Sequence, residues 1–193
     1  FVLTAVGLAI LFAVNPKTAM FGAISIFLYV SVYTPLKTLT PLSVFVGAFP
    51  GAIPYMLGWV AATGHFGIEA GTLFIIQFFW QFPHFWAIGW FLYDDYKKAG
   101  FSLLPSNTGR SKHSAFQIML YALALIPFSL VPWLLGWTGT YSLIIAAILG
   151  IGFFLYSYKL YHSLEVVDAR KLMFASFVYL PIIQFVYVFD RTL

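Results

Sequence analysis

Long apolar runs separated by short polar segments constrain this sequence more than any other feature. A membrane-spanning helix needs about 20 predominantly apolar residues. Apolar runs near that length cover residues 18–33, 42–63, 70–93, 114–137, 141–158 and 172–189. A further run, residues 1–14, is shorter and stops at Asn15-Pro16, so we expect it to be the end of a helix that begins earlier in the protein. The pattern predicts an all-α, polytopic transmembrane helical bundle with about seven spans in this chain.

The composition excludes a soluble domain. Of the 193 residues, 62% are hydrophobic and 8% are charged, whereas soluble domains carry about a quarter charged residues. The chain has no cysteine, which excludes disulfides, thiolate metal sites and cysteine nucleophiles. Its net charge of +4 is scattered between hydrophobic runs. Nucleic-acid binding needs a contiguous basic face, so we expect a lipid bilayer around the protein and no nucleic-acid partner.

The basic residues predict which side of the membrane each loop occupies. Alternating the spans places the loop around Lys37, residues 94–113 and residues 159–171 on one face. This face then collects most of the basic residues: Lys37, Lys97, Lys98, Arg110, Lys112, Lys159, Arg170 and Lys171. By the positive-inside rule that face is cytoplasmic. The sequence therefore predicts a multi-pass protein of the cytoplasmic (inner) membrane.

A polar stripe runs along the fourth span. Gln77, Gln81, His84 and Asp95 are separated by helical steps of three and four residues, so they share one face of a continuous helix. His84 would lie about 16 Å along the helix from Asp95, near the bilayer midplane. Polar groups at that depth either face a cavity or substrate path or hydrogen bond between helices, and the stripe alone fits both interpretations.

A DDxxKK segment begins the longest polar loop. Asp94 and Asp95 are followed by Lys97 and Lys98. Paired carboxylates suit Mg²⁺, which often shares its ligand shell with phosphate oxygens, and lysines can neutralise phosphate directly. Such segments are also common in solvated loops. Its position at the end of the polar stripe is what favours a functional site.

Several segments resemble a known family. They are VYTPLK at residues 32–37, GAFPGAIPYMLGW at 47–59, WQFPHFWAIGWFLYDDYKKAGFSLLP at 80–105, and the following Gly109. These segments are similar to the protoheme IX farnesyltransferases, also called haem O synthases, among the UbiA-type intramembrane prenyltransferases. The resemblance extends from the first helix into the span at 114–137, and the later helices add only hydropathy.

The resemblance implies a single transmembrane prenyltransferase domain over residues 1–193, taken from a bundle of about nine spans. It implies transfer of farnesyl from farnesyl diphosphate to a vinyl group of haem b, which gives haem O, with Mg²⁺ on the diphosphate. Haem b is then a substrate rather than a cofactor, and haem A synthase or a terminal oxidase assembly is an expected partner. The family's second aspartate motif falls on Asp95 beside Asp94, its PHFW histidine on His84, and a basic residue on Lys37.

The residue types fit that chemistry. Mg²⁺ held by Asp95 and Asp94 would make diphosphate a better leaving group, and we expect Lys98 to act with them in catalysis. Further basic residues expected to take up the diphosphate charge are Lys37, Lys97, Arg110 and Lys112. An allylic cation needs a dry pocket lined by aromatic rings. The candidates for this lining are Trp80, Phe85, Trp86 and Tyr93. The remaining substrate-binding candidates are Gln81, Tyr33 and His84, which would contact haem at its iron or at its edge.

The family's first metal motif, N-x-x-x-D-x-x-x-D, is absent from this chain. Asn15 is followed four residues later by Ala19, and Asn107 by Ser111. In the family the motif precedes the helix with which this chain begins, so we expect an N-terminally truncated sequence that lacks the first spans. We also expect these 193 residues alone to be inactive.

Two other function classes remain open. A related prenyltransferase acting on a quinone precursor shares the general features, although PHFW and LLP favour the haem branch. A membrane transporter or haem carrier would also use broken helices and a midplane histidine. A transporter predicts inverted repeats, and a haem carrier predicts a second well-placed axial ligand. The other histidines, His65, His113 and His162, lie in or near loops.

Overall fold

The computed structural model describes residues 1–192, and regular structure there is helical apart from one isolated bridge between Thr138 and Arg191. The helices are α1 (Val2–Val14), α2 (Pro16–Phe27), a π-helical segment (Leu28–Tyr33), α3 (Thr34–Leu36), α4 (Ser43–Thr63), α5 (Ile68–Phe91), α6 (Tyr93–Lys98), α7 (Lys112–Leu134), α8 (Thr140–Ser163) and α9 (Val166–Phe189). This architecture confirms the all-α prediction.

Five helical segments within residues 1–192 are long and apolar enough to cross a membrane. They are Pro16–Leu36, Ser43–Thr63, Lys112–Leu134, Thr140–Ser163 and Val166–Phe189. Helix α5 has 24 residues, as many as α8 and α9, and it carries two glutamines and a histidine. Helix α1 has 13 residues. The seven predicted apolar runs coincide with these five segments, α5 and the short α1. Five of the seven have the length and composition of a membrane span, and the protein is a multi-pass membrane protein.

The chain divides into two compact units, and the division falls inside α5 after Phe78. In the first unit, Asn15 ends α1 and caps α2, because its side-chain oxygen accepts a hydrogen bond from the Thr18 backbone N–H at 2.9 Å. Pro16 occupies the first turn of α2, where a missing N–H costs nothing. The predicted break at Asn15-Pro16 is confirmed.

Two prolines lie inside α4 of the same unit. Pro54 has no N–H, so the carbonyl of Pro50, one turn earlier, loses its helical donor. The hydroxyl of Ser25 on α2 donates to that carbonyl at 3.1 Å. This contact satisfies a polar group that would otherwise be costly in an apolar environment, and it joins α2 to α4.

In the second unit, α7, α8 and α9 pack as successive antiparallel neighbours. Asp190, just after α9, accepts a hydrogen bond from the Ser142 N–H at 2.6 Å, and its backbone carbonyl accepts one from Gly139 at 2.8 Å. The carboxylate therefore caps the first turn of α8, where Gly139 offers no side chain. At the other end of the hairpin, Lys159 pairs with the buried Asp168 at 3.3 Å.

Candidate functional site

The polar stripe of α5 does not continue to Asp95, and this part of the sequence prediction is wrong. Helix α5 ends at Phe91, Leu92 leaves helical geometry with φ −97° and ψ 20°, and α6 begins at Tyr93. An uninterrupted helix would pair the Asp95 N–H with the Phe91 carbonyl, but it donates to Leu92 at 3.1 Å instead. Burial differs accordingly, since His84 is 7% exposed whereas the Asp95 side chain is 76% exposed.

Arg110 supplies hydrogen-bond donors to the last carbonyls of α5. Its Nε donates to the Trp90 carbonyl at 2.8 Å, and its Nη2 donates to the Phe91 carbonyl at 3.4 Å. These carbonyls belong to the last turn of α5, where helical donors are lacking. The same guanidinium contacts Asp94, with Nη1 3.1 Å from Oδ2, and lies 5.2 Å from the centre of the Tyr93 ring. Arg110 therefore joins the loop, the helix end and the first carboxylate.

The loop before α7 is shaped to place Arg110 there. Gly109 has φ +68°, a conformation that strongly favours glycine, and the Tyr93 hydroxyl occupies the space that a side chain at Gly109 would need. Ser114 Oγ donates to the Gly109 carbonyl at 2.7 Å. Leu104 is buried, and a Cβ at Gly89 would lie 3.3 Å from Leu103. The loop therefore packs tightly against the last turns of α5.

The two aspartates have different basic partners. Asp94 pairs with Arg110, whereas Asp95 lies 3.8 Å from Lys98 in an exposed i,i+3 pair. Lys97 Nζ lies 6.0 Å from the centre of the Tyr93 ring. Two carboxylates and two lysines, all exposed, and the half-buried Arg110 form a cluster at the end of α5, which we call the acidic-basic cluster (Asp94, Asp95, Lys97, Lys98 and Arg110).

The donor set of this cluster fits one mode of magnesium binding. Within residues 1–192 no group of three or more histidine, cysteine or acidic residues is placed to hold a metal ion. Mg²⁺ commonly uses only one or two protein carboxylates and takes its other ligands from water and substrate phosphates. Asp94 and Asp95 can supply that number of carboxylates.

His84 is held inside the second unit by aromatic and polar neighbours. Its ring stacks on Trp80 with 4.5 Å between centroids and 15° between planes. Its Nδ1 lies 2.7 Å from Ser176 Oγ on α9, and Trp80 Nε1 donates to the Ser176 carbonyl at 3.0 Å. Phe85 and Phe177 each have their ring centres 5.1 Å from the imidazole. The imidazole is thus fixed by both α5 and α9.

Two buried tryptophans on α5 have indole N–H groups without an acceptor in the described part of the chain. They are Trp86 and Trp90, four residues apart and so on one helix face. Trp86 packs against Phe82 and Tyr121, with ring centres 5.2 and 5.1 Å away. A buried donor without an acceptor is uncommon, so these two N–H groups carry an unmet hydrogen-bonding requirement in the core.

The remaining predicted residues lie on several elements of the two units. In the first unit, Tyr33 ends the π-helical segment, and its ring fills the space beside Gly47. The Lys37 N–H donates to the Tyr33 carbonyl at 3.0 Å. In the second unit, Gln81 is buried on α5. Lys112 lies at the start of α7, 5.3 Å from the centre of the Tyr161 ring.

Sequence reasoning missed Ser176 and Trp90. A lone serine in an apolar helix is a weak signal, because such hydroxyls usually bond to their own helix backbone. Trp90 shares a helix face with Trp86, and that spacing was the available clue.

Comparison with known proteins agrees with the family resemblance of the sequence segments. Residues 1–179 match the UbiA prenyltransferase family. The protoheme IX farnesyltransferase of Christiangramia forsetii is 60% identical over 97% of this chain and 64% of its own length. That of Flavobacterium psychrophilum is 60% identical over 100% of this chain and 65% of its own length. The corresponding Cytophaga hutchinsonii protein is 54% identical over 87% of this chain and 59% of its own length.

The chain thus spans about 64–65% of the length of the first two curated relatives. No solved structure matches it.

Proposed function

Because this chain belongs to the UbiA prenyltransferase family, we propose that the protein transfers a farnesyl group from farnesyl diphosphate to a vinyl group of haem b, producing haem O. The observation that carries this proposal is the acidic-basic cluster at the end of α5, in a chain 60% identical to a protoheme IX farnesyltransferase. Two carboxylates beside three basic groups suit a diphosphate with a bound divalent cation.

We assign the carboxylates to metal binding. Asp95 is the primary candidate, because its contact with Lys98 is long and exposed, and exposed ion pairs of that kind contribute little stability. Asp94 is already paired with Arg110, so it supports the site from a fixed position. Asp95 and Asp94 would hold Mg²⁺, which would neutralise charge that develops on the leaving group.

Lys97 and Lys98 are proposed to take up the remaining diphosphate charge. Lys98 is 80% exposed on the same short helix as Asp95, so it can reach a substrate at the membrane surface. Arg110 has less freedom, because it bonds to two backbone carbonyls of α5. Its main contribution is therefore to hold the site together. Lys37, Lys112 and Tyr33 remain proposed substrate contacts.

The proposed reaction breaks the allylic C–O bond of farnesyl diphosphate and releases diphosphate. The farnesyl carbon bonds to the terminal carbon of the haem vinyl group, which leaves positive charge on the inner vinyl carbon. Water adds there and loses a proton, giving a hydroxyethylfarnesyl side chain. Aromatic rings stabilise such cations by about 1–2 kcal/mol per contact when water is excluded. Trp80, Trp86 and Phe85 are proposed to supply these rings, with His84 and Gln81 contacting haem.

We propose that the acidic-basic cluster faces the cytoplasm. The basic residues concentrate in the loops that alternation of the spans assigns to one side, and short basic loops remain cytoplasmic. Farnesyl diphosphate, a charged water-soluble head on an apolar tail, would then reach the cluster from the cytoplasmic surface while its tail enters the membrane. Single cysteines introduced at positions 97 and 17 test this orientation when they are labelled from outside with a reagent that cannot cross the membrane. We expect the cysteine at position 97 to be labelled only after the membrane is opened.

The function is tested in a bacterial host that lacks its own haem O synthase. The complete gene encoding this chain is expressed in native form or with Asp95→Ala, and haems extracted from the membranes are identified by mass spectrometry. We expect haem O from the native gene and only haem b from the variant. A Glu165→Ala variant is the control, since this acidic side chain makes no capping bond at α9, and it should support haem O formation. Native protein in the membrane with only haem b would refute the proposal, and a prenylated quinone would identify a different acceptor.

A further inference from the structure

The hydrogen bonds around Ser176 determine which nitrogen of His84 carries its proton. Ser176 Oγ donates to the backbone carbonyl of Met173, three residues earlier on α9. A serine hydroxyl has one hydrogen, and a carbonyl cannot donate, so that hydrogen is already used. Ser176 Oγ can therefore only accept from His84 Nδ1, 2.7 Å away. A neutral His84 thus carries its proton on Nδ1 and has a lone pair on Nε2.

The Nε2 atom has no hydrogen-bond partner among residues 79–192. The other contacts of the ring are aromatic: Trp80 stacks on one face, and Phe85 and Phe177 approach edge-on. Both phenylalanines are exposed large hydrophobic residues. In a membrane protein they form an apolar surface beside the imidazole, which suits the flat face of a porphyrin.

From this geometry we propose that His84 ligates the iron of the substrate haem through Nε2 and that Ser176 is the positioning residue that holds its tautomer and orientation. This inference rests on the proposed function. Histidines that bind metals usually donate their second ring N–H to a carbonyl, carboxylate or other acceptor, which fixes the ring and raises ligand basicity. Trp80 supports the arrangement twice, because it stacks on His84 and donates to the Ser176 carbonyl at 3.0 Å.

Ligation would give the enzyme a fixed point on a large, flat substrate. Haem iron is commonly held by one histidine, which restricts the porphyrin to rotation about the Fe–N bond. A single contact at the iron leaves the vinyl edge free to reach the allylic carbon. The role of Ser176 is therefore indirect, because it would act through His84 rather than on the vinyl group or the diphosphate.

The test uses the full-length protein, purified in detergent and titrated with ferric haem b, with optical and electron paramagnetic resonance spectra recorded. The native protein should show a histidine-ligated spectrum that His84→Gly lacks. Ser176→Ala should weaken haem binding about tenfold and shift the spectrum, and Ser176→Thr, which keeps the hydroxyl, should restore both. Ser157→Ala is the matched control. Ser157 is also buried and donates to a carbonyl three residues earlier, at 2.7 Å, but within residues 1–192 it has no hydrogen bond to a histidine.

A second measurement leaves Ser176 intact and so covers the case in which Ser176→Ala does not fold. In His84→Gly, added imidazole can bind iron and donate an N–H to Ser176, whereas 1-methylimidazole has no N–H. We expect imidazole to restore haem binding about tenfold more strongly than 1-methylimidazole. Equal rescue by the two compounds would overturn the role of Ser176, and a native spectrum from His84→Gly would overturn the ligation.

Parallel haem O assays separate this inference from the proposed function. If His84→Gly binds haem with the native spectrum and still makes haem O, the ligation is refuted and the farnesyl transfer stands. If the native protein shows the histidine-ligated spectrum but makes no haem O, the transfer is refuted and the ligation stands.

Discussion

Replacement of Arg110 by alanine should destabilise the protein far more than replacement of its acidic partner. The 2.8 Å bond from Nε to the Trp90 carbonyl has a charged donor on a side chain that is 26% exposed, and such bonds contribute about 1.5–3 kcal/mol. The 3.4 Å contact with Phe91 adds little. The pair with Asp94, whose side chain is 70% exposed, contributes about 0–1 kcal/mol.

These terms predict a loss of about 2–4 kcal/mol in the free energy of unfolding for Arg110→Ala and about 0–1 kcal/mol for Asp94→Ala. The assay is equilibrium unfolding of the full-length protein by SDS in mixed micelles, followed by circular dichroism and tryptophan fluorescence. Lys112→Ala removes a neighbouring positive charge that lies over a tyrosine ring and should cost at most about 1 kcal/mol. Equal losses for Arg110→Ala and Asp94→Ala would refute the capping argument, because the ion pair would then dominate.

Three further predictions concern the loops and the carboxylates. Gly109→Ala should destabilise the protein more than Gly100→Ala in the same unfolding assay. Both glycines have positive φ, at +68° and +75°, but only Gly109 also faces a tyrosine hydroxyl. Equal losses in the free energy of unfolding would contradict this prediction. Asp190→Ala should lower the free energy of unfolding by about 1 kcal/mol, because it removes the hydrogen-bond acceptor at the start of α8. Amide hydrogen exchange in the first turn of α8 should become faster. Unchanged exchange would contradict the capping role of Asp190. Asp95→Asn should lower kcat about 100-fold or more with little change in unfolding, and a parallel loss of stability would argue for a structural role instead.

Local sequence signals located most helices but missed the break after α5. Asn15-Pro16 is a strong helix start signal and was interpretable without tertiary information. No glycine or proline marks Leu92. The interruption is accompanied by a guanidinium from Arg110, which bonds to the last carbonyls of α5 from about 20 residues away in sequence. Hydrophobic periodicity contains no information about such a contact, so the stripe through Asp95 looked continuous.

The main residues of the candidate site were predictable from the sequence, but their hydrogen-bond partners were not. Asp94, Asp95 and His84 stand out because charged and polar residues are rare in so apolar a chain. Their partners do not stand out. Ser176 is one of several serines in apolar helices, and its importance depends on the packing of α9 beside α5, which places its hydroxyl 2.7 Å from His84.

The most direct test of the account is farnesyl transfer by the purified full-length protein in ¹⁸O-labelled water. Farnesyl diphosphate, haem b and Mg²⁺ are added, and the haem product is analysed by mass spectrometry. We predict a product that is heavier by one farnesyl group and one hydroxyl group, with ¹⁸O in the hydroxyl, and no such product from Asp95→Ala. Release of diphosphate while haem b stays unmodified, or equal product from Asp95→Ala, would contradict it.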